Sequence, residues 1–395
     1  MTLAGEYHRY REHAYITRKE TFRVVTKPGI LNWNRLDPGT RLLVEKMVIG
    51  PTDAVLDLGC GYGIVGLAAA KMAVQGQVHL VDSNVVAVEA ARRTLALNDL
   101  SNAQVHLSDG AATLPAIAFD VVAAHLPRSK ALARQFIVNA ANALKPGGRF
   151  YLAGHKKTGV KSSVSYAQEV FGNSEVLAFK KGYRLVVCTK DADTTIPQTN
   201  YHHWHKFSVQ VRDQNYSFIS KPGVFSWDSL DAGSRVLVET MKIRPADRVL
   251  DLGCGCGIVG LAAAKMAVQG QVYLVDSNAI AVEAARRTLS LNSVINAQVH
   301  LSDSAAAVQE IAFDIVVTNP PFHQGRQTDY NIAHQFIRDA AAVLKRGGCL
   351  YVVANSFIRY EREMSKYFHE VNIVHKDNLY RVLLGKRPKK RDGLL

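Results

Sequence analysis

VLDLGCGCGIVGLAAAKMAVQGQVYLVDSN, residues 249–278, decides the fold. It opens with a short apolar run, interrupted only by Asp251, that leads into glycines at 253, 255 and 257. A helical pattern, GLAAAKMAV, follows, and a second apolar run, QVYLVD, ends on Asp276. Strand, glycine turn, helix and strand in this order form a βαβ unit, and apolar strands without a polar face need a sheet covered on both sides. Downstream, the pattern predicts a helix over 279–292, strands over 297–303 and 313–319, and a helix over 331–345 stopped by Gly347-Gly348. A strand over 349–355, a further helix and late strands at 371–375 and 380–384 complete the unit. The expected class is α/β, with a mostly parallel, doubly wound seven-stranded sheet flanked by helices.

The chain carries this unit twice. Residues 55–84 differ from 249–278 only at Tyr62/Cys256 and His79/Tyr273. The likeness continues outward: KPGILNWNRLDPGTR (27–41) matches KPGVFSWDSLDAGSR (221–235), and LKPGGRFYLAGH (144–155) matches LKRGGCLYVVAN (344–355). Two tandem Rossmann-like domains are therefore expected, 1–195 and 196–395, joined near the polar stretch KDADTTIPQTN (190–200).

Bulk properties narrow the class. The 395 residues suit two domains of ordinary size. Lys and Arg exceed Asp and Glu by 48 to 34, a net charge of +14, which favours a polyanionic partner. Five cysteines without a regular framework point away from a disulfide scaffold and toward a reducing cytoplasm. Cys254 and Cys256 stand where the first copy has Cys60 and Tyr62, a swap that a metal site would not survive, so no metal is expected. YHHWHKF (201–207) reads in the same way: its histidines are not kept in the matching YHRYREH (7–13), and it is expected to be a basic, aromatic opening strand. The N-terminal residues show no apolar signal, and no stretch is long enough to span a membrane.

Asp251 ends the first strand, and Gly253, Gly255 and Gly257 let backbone approach a ligand where a Cβ would intrude. Asp276 ends the next strand, placed to accept both ribose hydroxyls, and Asp303 ends the third, placed to accept from an adenine amine. Acid at all three strand ends suits a ligand with a cationic part better than a pyrophosphate. S-adenosylmethionine fits better than a dinucleotide. The first copy keeps Asp57, Gly59, Gly61 and Asp82, a candidate second cofactor site.

The copies part company at the fourth strand. Residues 315–324 read IVVTNPPFHQ, where the first copy has VVAAHLPRSK (121–130). In an open parallel sheet ligands sit where the strand order reverses, so strands one and four flanking that point would bring Asn319, Pro320, Pro321 and Phe322 beside the glycine loop. An exocyclic base amine is a poor nucleophile. The Asn319 side-chain carbonyl and a main-chain carbonyl at Pro320 would accept its two N–H groups, the prolines would fix the backbone direction, and Phe322 would stack on the base. His125, Leu126 and Arg128 offer none of this, so the first copy is expected to do no chemistry.

GVFSWDSLDAGSRVL (223–237), VLDLGCGCGIVG, NPPFHQGRQTDYNIAHQFI (319–337) and LYVVANSFIRYE (350–361) together resemble the small- and large-subunit ribosomal RNA guanine-N2 methyltransferases of bacteria. These are class I S-adenosylmethionine enzymes built from a duplicated domain. The resemblance covers nearly all of the second half. It implies that Asp251, Gly253, Gly255, Gly257, Asp276 and Asp303 bind cofactor, with Phe225 and Ser226 lining the pocket. It also implies that Asn319, Pro320, Pro321 and Phe322 form the catalytic loop, that His323 faces RNA, and that the partner is ribosomal RNA or a ribosomal subunit, with 16S rRNA the expected target. Adenine-N6 and protein-glutamine methyltransfer stay open, as does a non-catalytic RNA-binding or ribosome-assembly role. The basic tail 385–395 is read as a loose phosphate tracker.

Overall fold

The computed structural model describes residues 6–110, 114, 118–197, 203–321 and 327–389. These residues divide into two compact units, Arg9–His203 and a discontinuous one that joins Glu6–His8 to Trp204 onward.

The first unit opens with a hairpin, β1 (Arg11–Thr17) and β2 (Glu20–Thr26), and helix α1 (Pro38–Lys46). Then come β3 (Ala54–Leu58), α2 (Ile64–Met72), β4 (Gln77–Asp82), α3 (Val85–Leu97), β5 (Ala103–Leu107) and β6 (Phe119–His125). Helix α4 (Lys130–Ala143), β7 (Leu144–His155), α5 (Val160–Phe171), β8 (Glu175–Lys180) and β9 (Tyr183–Thr189) close it. The second unit repeats the plan with β10 (His205–Val211), β11 (Gln214–Ser220), α6 (Ala232–Thr240), β12 (Arg248–Leu252), α7 (Ile258–Met266) and β13 (Gln271–Asp276). It continues through α8 (Ala279–Leu291), β14 (Ala297–Leu301), β15 (Phe313–Thr318), α9 (Gln327–Val343), β16 (Leu344–Asn355), α10 (Glu361–Met364), β17 (Phe368–Lys376) and β18 (Tyr380–Pro388).

Each unit builds one seven-stranded sheet, in the orders β5-β4-β3-β6-β7-β9-β8 and β14-β13-β12-β15-β16-β18-β17. One strand of each sheet, β9 or β18, runs antiparallel to both its neighbours, and the other six run parallel to one another. The alternation of side chains along a strand divides the core between two faces. In the second unit Val249, Val272, Leu274, Ile315 and Val317 pack on one face, and Leu250, Leu252, Val275, Phe313 and Val316 on the other. Helix α7 is apolar on nearly every side and buried accordingly, with Ile258 through Ala264 all inside. The β10–β11 turn uses Arg212 and Asp213 with φ of 50° and 58°, the left-handed pair that closes a two-residue hairpin in the twist the strands require.

The boundary expected at the glycine pair moves. Helix α9 ends at Val343, and Gly347 and Gly348 lie within β16 instead of stopping the helix. There Phe313 pairs with Leu344 and Ile315 with Cys349, so the extra residues bulge out of the ladder. Gly348 is needed because a Cβ would come within 3.0 Å of the Asp314 carbonyl.

Candidate active site

In the second unit β12 lies between β13 and β15, and the strand order reverses there. Asp251 is in register with Val317, so Gly253, after β12, and Asn319, after β15, leave the sheet side by side. Thr318 fixes this edge: its hydroxyl donates to the Leu252 carbonyl at 2.6 Å.

The glycine loop has the geometry of a ligand cradle. Gly253, Gly255 and Gly257 take φ of 81°, 55° and 86°, values that side chains disfavour. A Cβ at Gly255 would meet no atom within 4 Å, so the loop presents bare backbone to open space there. At Gly253 the reason is different, since a Cβ would strike the Phe336 ring at 2.8 Å. Asp276 accepts from the Gly255 N–H and the Asn278 N–H, both at 2.9 Å, one on each carboxylate oxygen. This fixes the carboxylate plane and leaves lone pairs for two neighbouring hydroxyls. Burial raises its pKa, opposed by the hydrogen bonds from Asn278, Gly255 and Ser277.

Asp251 turns inward. It is 1% exposed, and its carboxylate accepts from the Gly260 N–H at 2.7 Å, tying β12 to α7. Burial pushes its carboxyl up to about 7, against that hydrogen bond and helped by the Asp276 charge. Among the described residues neither Asp251 nor Asp276 has an ion-pair partner. Phe225 is exposed and Ser226 takes φ 48°, in a loop held to the Asp276 end by the bond from Asn278 Nδ2 to the Gly223 carbonyl at 2.9 Å.

At Asp303 the structure adds a residue that the sequence did not point to. His8 lies between Asp303 and Asp339, with its Nδ1 3.6 Å from one carboxylate and its Nε2 3.2 Å from the other. Burial alone would lower the His8 pKa, but hydrogen bonding and charge from Asp303 and Asp339 outweigh it and bring it up to about 9. The imidazole is therefore cationic at neutral pH.

Asn319 is half-buried, and both N–H groups of its amide are engaged. Nδ2 donates to Asp231 Oδ2 and to Ser234 Oγ, each at 2.9 Å. Asp231 is also the N-cap of α6 and accepts from the Ser234 N–H at 2.7 Å, so its position is set by the helix start. With Nδ2 held by Asp231 and Ser234, the planar amide is fixed and its oxygen lies on the side away from them. Pro320 is buried and Pro321 exposed. Phe322 and His323 lie outside the described residues.

The first unit shows what has been lost. Ala124 replaces Thr318, and His125 stands in place of Asn319, 3.0 Å from Asp37, the counterpart of Asp231. Tyr183 donates to the other Asp37 oxygen at 2.8 Å. Burial would raise the Asp37 pKa, but His125 and Tyr183 hold it down at about 2. The aspartate is thus committed to an internal cluster, and no amide carbonyl faces outward.

A glycine loop with bare backbone, a strand-end carboxylate and a held amide thus stand together at the point where the strand order reverses. The methyltransferase small domain profile matches residues 21–187 and 215–384, and the chain belongs to that family. The chain is similar to ribosomal RNA small subunit methyltransferase C of Hahella chejuensis, 32% identical over 271 residues, or 68% of this chain and 78% of that protein. It is similarly related to the protein of that name from Pseudomonas entomophila, at 34% over 249 residues, 63% of this chain and 73% of the relative. Among solved structures, the T. thermophilus 16S rRNA N2 G1207 methyltransferase, in complex with AdoMet and guanosine, superposes with a TM-score of 0.80. It is 29% identical, with 97% of this chain and 99% of that one covered.

Proposed function

We propose that the second unit transfers a methyl group from S-adenosylmethionine to the exocyclic N2 of a guanine in 16S ribosomal RNA, at the position equivalent to G1207. The observation that carries this reading is the Asn319 amide, locked by Asp231 and Ser234 with its carbonyl free, next to a glycine loop open to ligand. Gly253, Gly255 and Asp276 would hold the cofactor, Asp303 its adenine, and Phe225 and Ser226 the pocket edge. When bound, the cofactor supplies an electrophilic methyl carbon on a sulfonium. The protein supplies orientation. A guanine amine is flat because its lone pair is delocalised into the ring, and accepting its N–H bonds at Asn319 and at the Pro320 carbonyl turns the lone pair toward the donor carbon. No side chain needs to remove a proton first, because the methylated nitrogen is strongly acidic and loses its proton to water. Phe322 is the proposed stacking surface for the base, which must leave its helix to reach the site.

The RNA partner agrees with the net charge of +14. Among the described residues no cluster of His, Cys, Asp and Glu could hold a metal, and no helix is long and apolar enough to cross a membrane. We place the enzyme in the cytoplasm, where its substrate is made, with the monomer as the simplest assembly. Tritium transfer to 16S rRNA and to small subunits, followed by nucleoside mapping, tests the proposal. N2-methylguanosine is expected, and Asn319→Ala should lower kcat at least ~100-fold by removing the fixed side-chain acceptor, a loss of about 3 kcal/mol. Label in N6-methyladenosine or in protein glutamine would overturn the choice of acceptor.

A further inference from the structure

The first unit has lost the catalytic loop, but it has kept the glycine loop and the strand-end acids beside it. The stretch 55–84 departs from its counterpart at only two positions, whereas FDVVAAHLP (119–127) and FDIVVTNPP (313–321) differ at five of nine. The retained atoms stand in the same relations. Gly59, Gly61 and Gly63 take φ of 77°, 55° and 83°, against 81°, 55° and 86° in the second unit. Asp82 accepts from the Gly61 N–H at 3.0 Å and the Asn84 N–H at 2.9 Å, and Asp57 accepts from the Gly66 N–H at 2.8 Å. A Cβ at Gly61 would again meet no atom within 4 Å. Neither Asp57 nor Asp82 has an ion-pair partner among the described residues. Folding alone does not need a bare glycine facing open space, since a residue without contacts there could be asparagine at little cost.

We infer that the first unit is a second binding site for an adenosyl ligand, in which Asp82 takes the ribose and the Gly59–Gly63 loop passes beneath the nucleoside. The site binds without transferring. Tyr62 replaces the small Cys256 in the loop and is buried, with its hydroxyl under the electrostatic influence of Asp37. Leu31 and Asn32 also stand where the second unit has Phe225 and Ser226, while the glycine backbone and the hydrogen bonds to the Asp82 carboxylate keep their geometry. S-adenosylmethionine and its demethylated product S-adenosylhomocysteine share the adenosyl group that this site reads. A site without transfer machinery reports the level of either.

The inference rests on the cofactor reading of the second unit and is separable from it. Equilibrium dialysis of the full-length chain with each labelled ligand should give two molecules bound per chain. Gly255→Arg should leave one, and Asp82→Asn in that background should weaken the remaining site more than tenfold. Melting temperature and circular dichroism would establish that each variant is folded. Gly61→Ala, whose Cβ enters open space, is a milder second probe of the same site and should also weaken it. One molecule per chain in the wild type, abolished by Gly255→Arg in a folded protein, overturns the second site and leaves the catalytic reading intact. No binding of either ligand to the wild type overturns both. Tighter binding of S-adenosylhomocysteine than of S-adenosylmethionine at the remaining site would identify the product as the ligand read.

Discussion

Replacing Asp231 by Asn tests the fixed amide most directly. Asp231 has two tasks, capping α6 through the Ser234 N–H at 2.7 Å and holding Asn319 Nδ2 at 2.9 Å. Asparagine caps helices about as well as aspartate, so the first task survives and stability should change by no more than a few tenths of a kcal/mol. The second task weakens. A hydrogen bond to a charged acceptor contributes roughly 1.5–3 kcal/mol and one to a neutral acceptor roughly 0.5–1.5, so about 1 kcal/mol of orientation is lost. If that orientation matters chiefly in the transition state, kcat falls ~5–10-fold while the KM for cofactor stays put. Ser234→Ala removes the other partner and should cost a similar ~5-fold, about 1 kcal/mol. The double variant should exceed the product of the single effects, because the two share one amide. The assay is tritium transfer to small subunits at saturating cofactor, with thermal melts alongside. If both single variants stay within twofold of wild-type kcat while Asn319→Ala is inactive, the amide is not held for catalysis and the positioning argument fails.

Other predictions concern the supports of the site. His8, whose pKa is raised from 6.5 to about 9 by Asp303 and Asp339, adds stability that is full below pH ~6.5 and is lost as pH rises toward ~9. The shift corresponds to at most ~3 kcal/mol, which solvent screening reduces to about 1–2, and a His8→Ala chain should lack this alkaline fall in melting temperature. Thr318→Ala, which mimics the first copy at Ala124, removes the bond to the Leu252 carbonyl and should cost about 1 kcal/mol in urea denaturation. Gly260→Ala should cost more, about 1–3 kcal/mol by overpacking, since the new Cβ would lie 2.3 Å from Leu274 Cδ2.

The glycine loop, the strand-end acids and the closeness of Asn319 to them were legible in the sequence because each rests on a local pattern or on the reversal of strand order. Asp231, Ser234 and His8 were not read as site residues, because their partners lie far away along the chain, 88, 85 and 331 residues off. A signal was present for two of them: the DAGS stretch reads as a helix start, and the first copy keeps its aspartate and a hydroxyl at Asp37 and Thr40. What it caps could be read, but what else it holds could not. The glycines at 347 and 348 misled for the opposite reason. Helix-stop chemistry and a β-bulge use the same residue, and only the close approach of the Asp314 carbonyl distinguishes them.

The near-identity of 55–84 and 249–278 has a consequence for how the chain reaches its native state. β12 would accept β4 as neighbour almost as readily as β13, because the residues that zip the pair are nearly the same in each copy. Only the shorter tether favours the right partner, and loop length discriminates weakly. Refolding from denaturant should therefore pass through trapped, cross-paired species whose share falls when the two halves are given divergent strands.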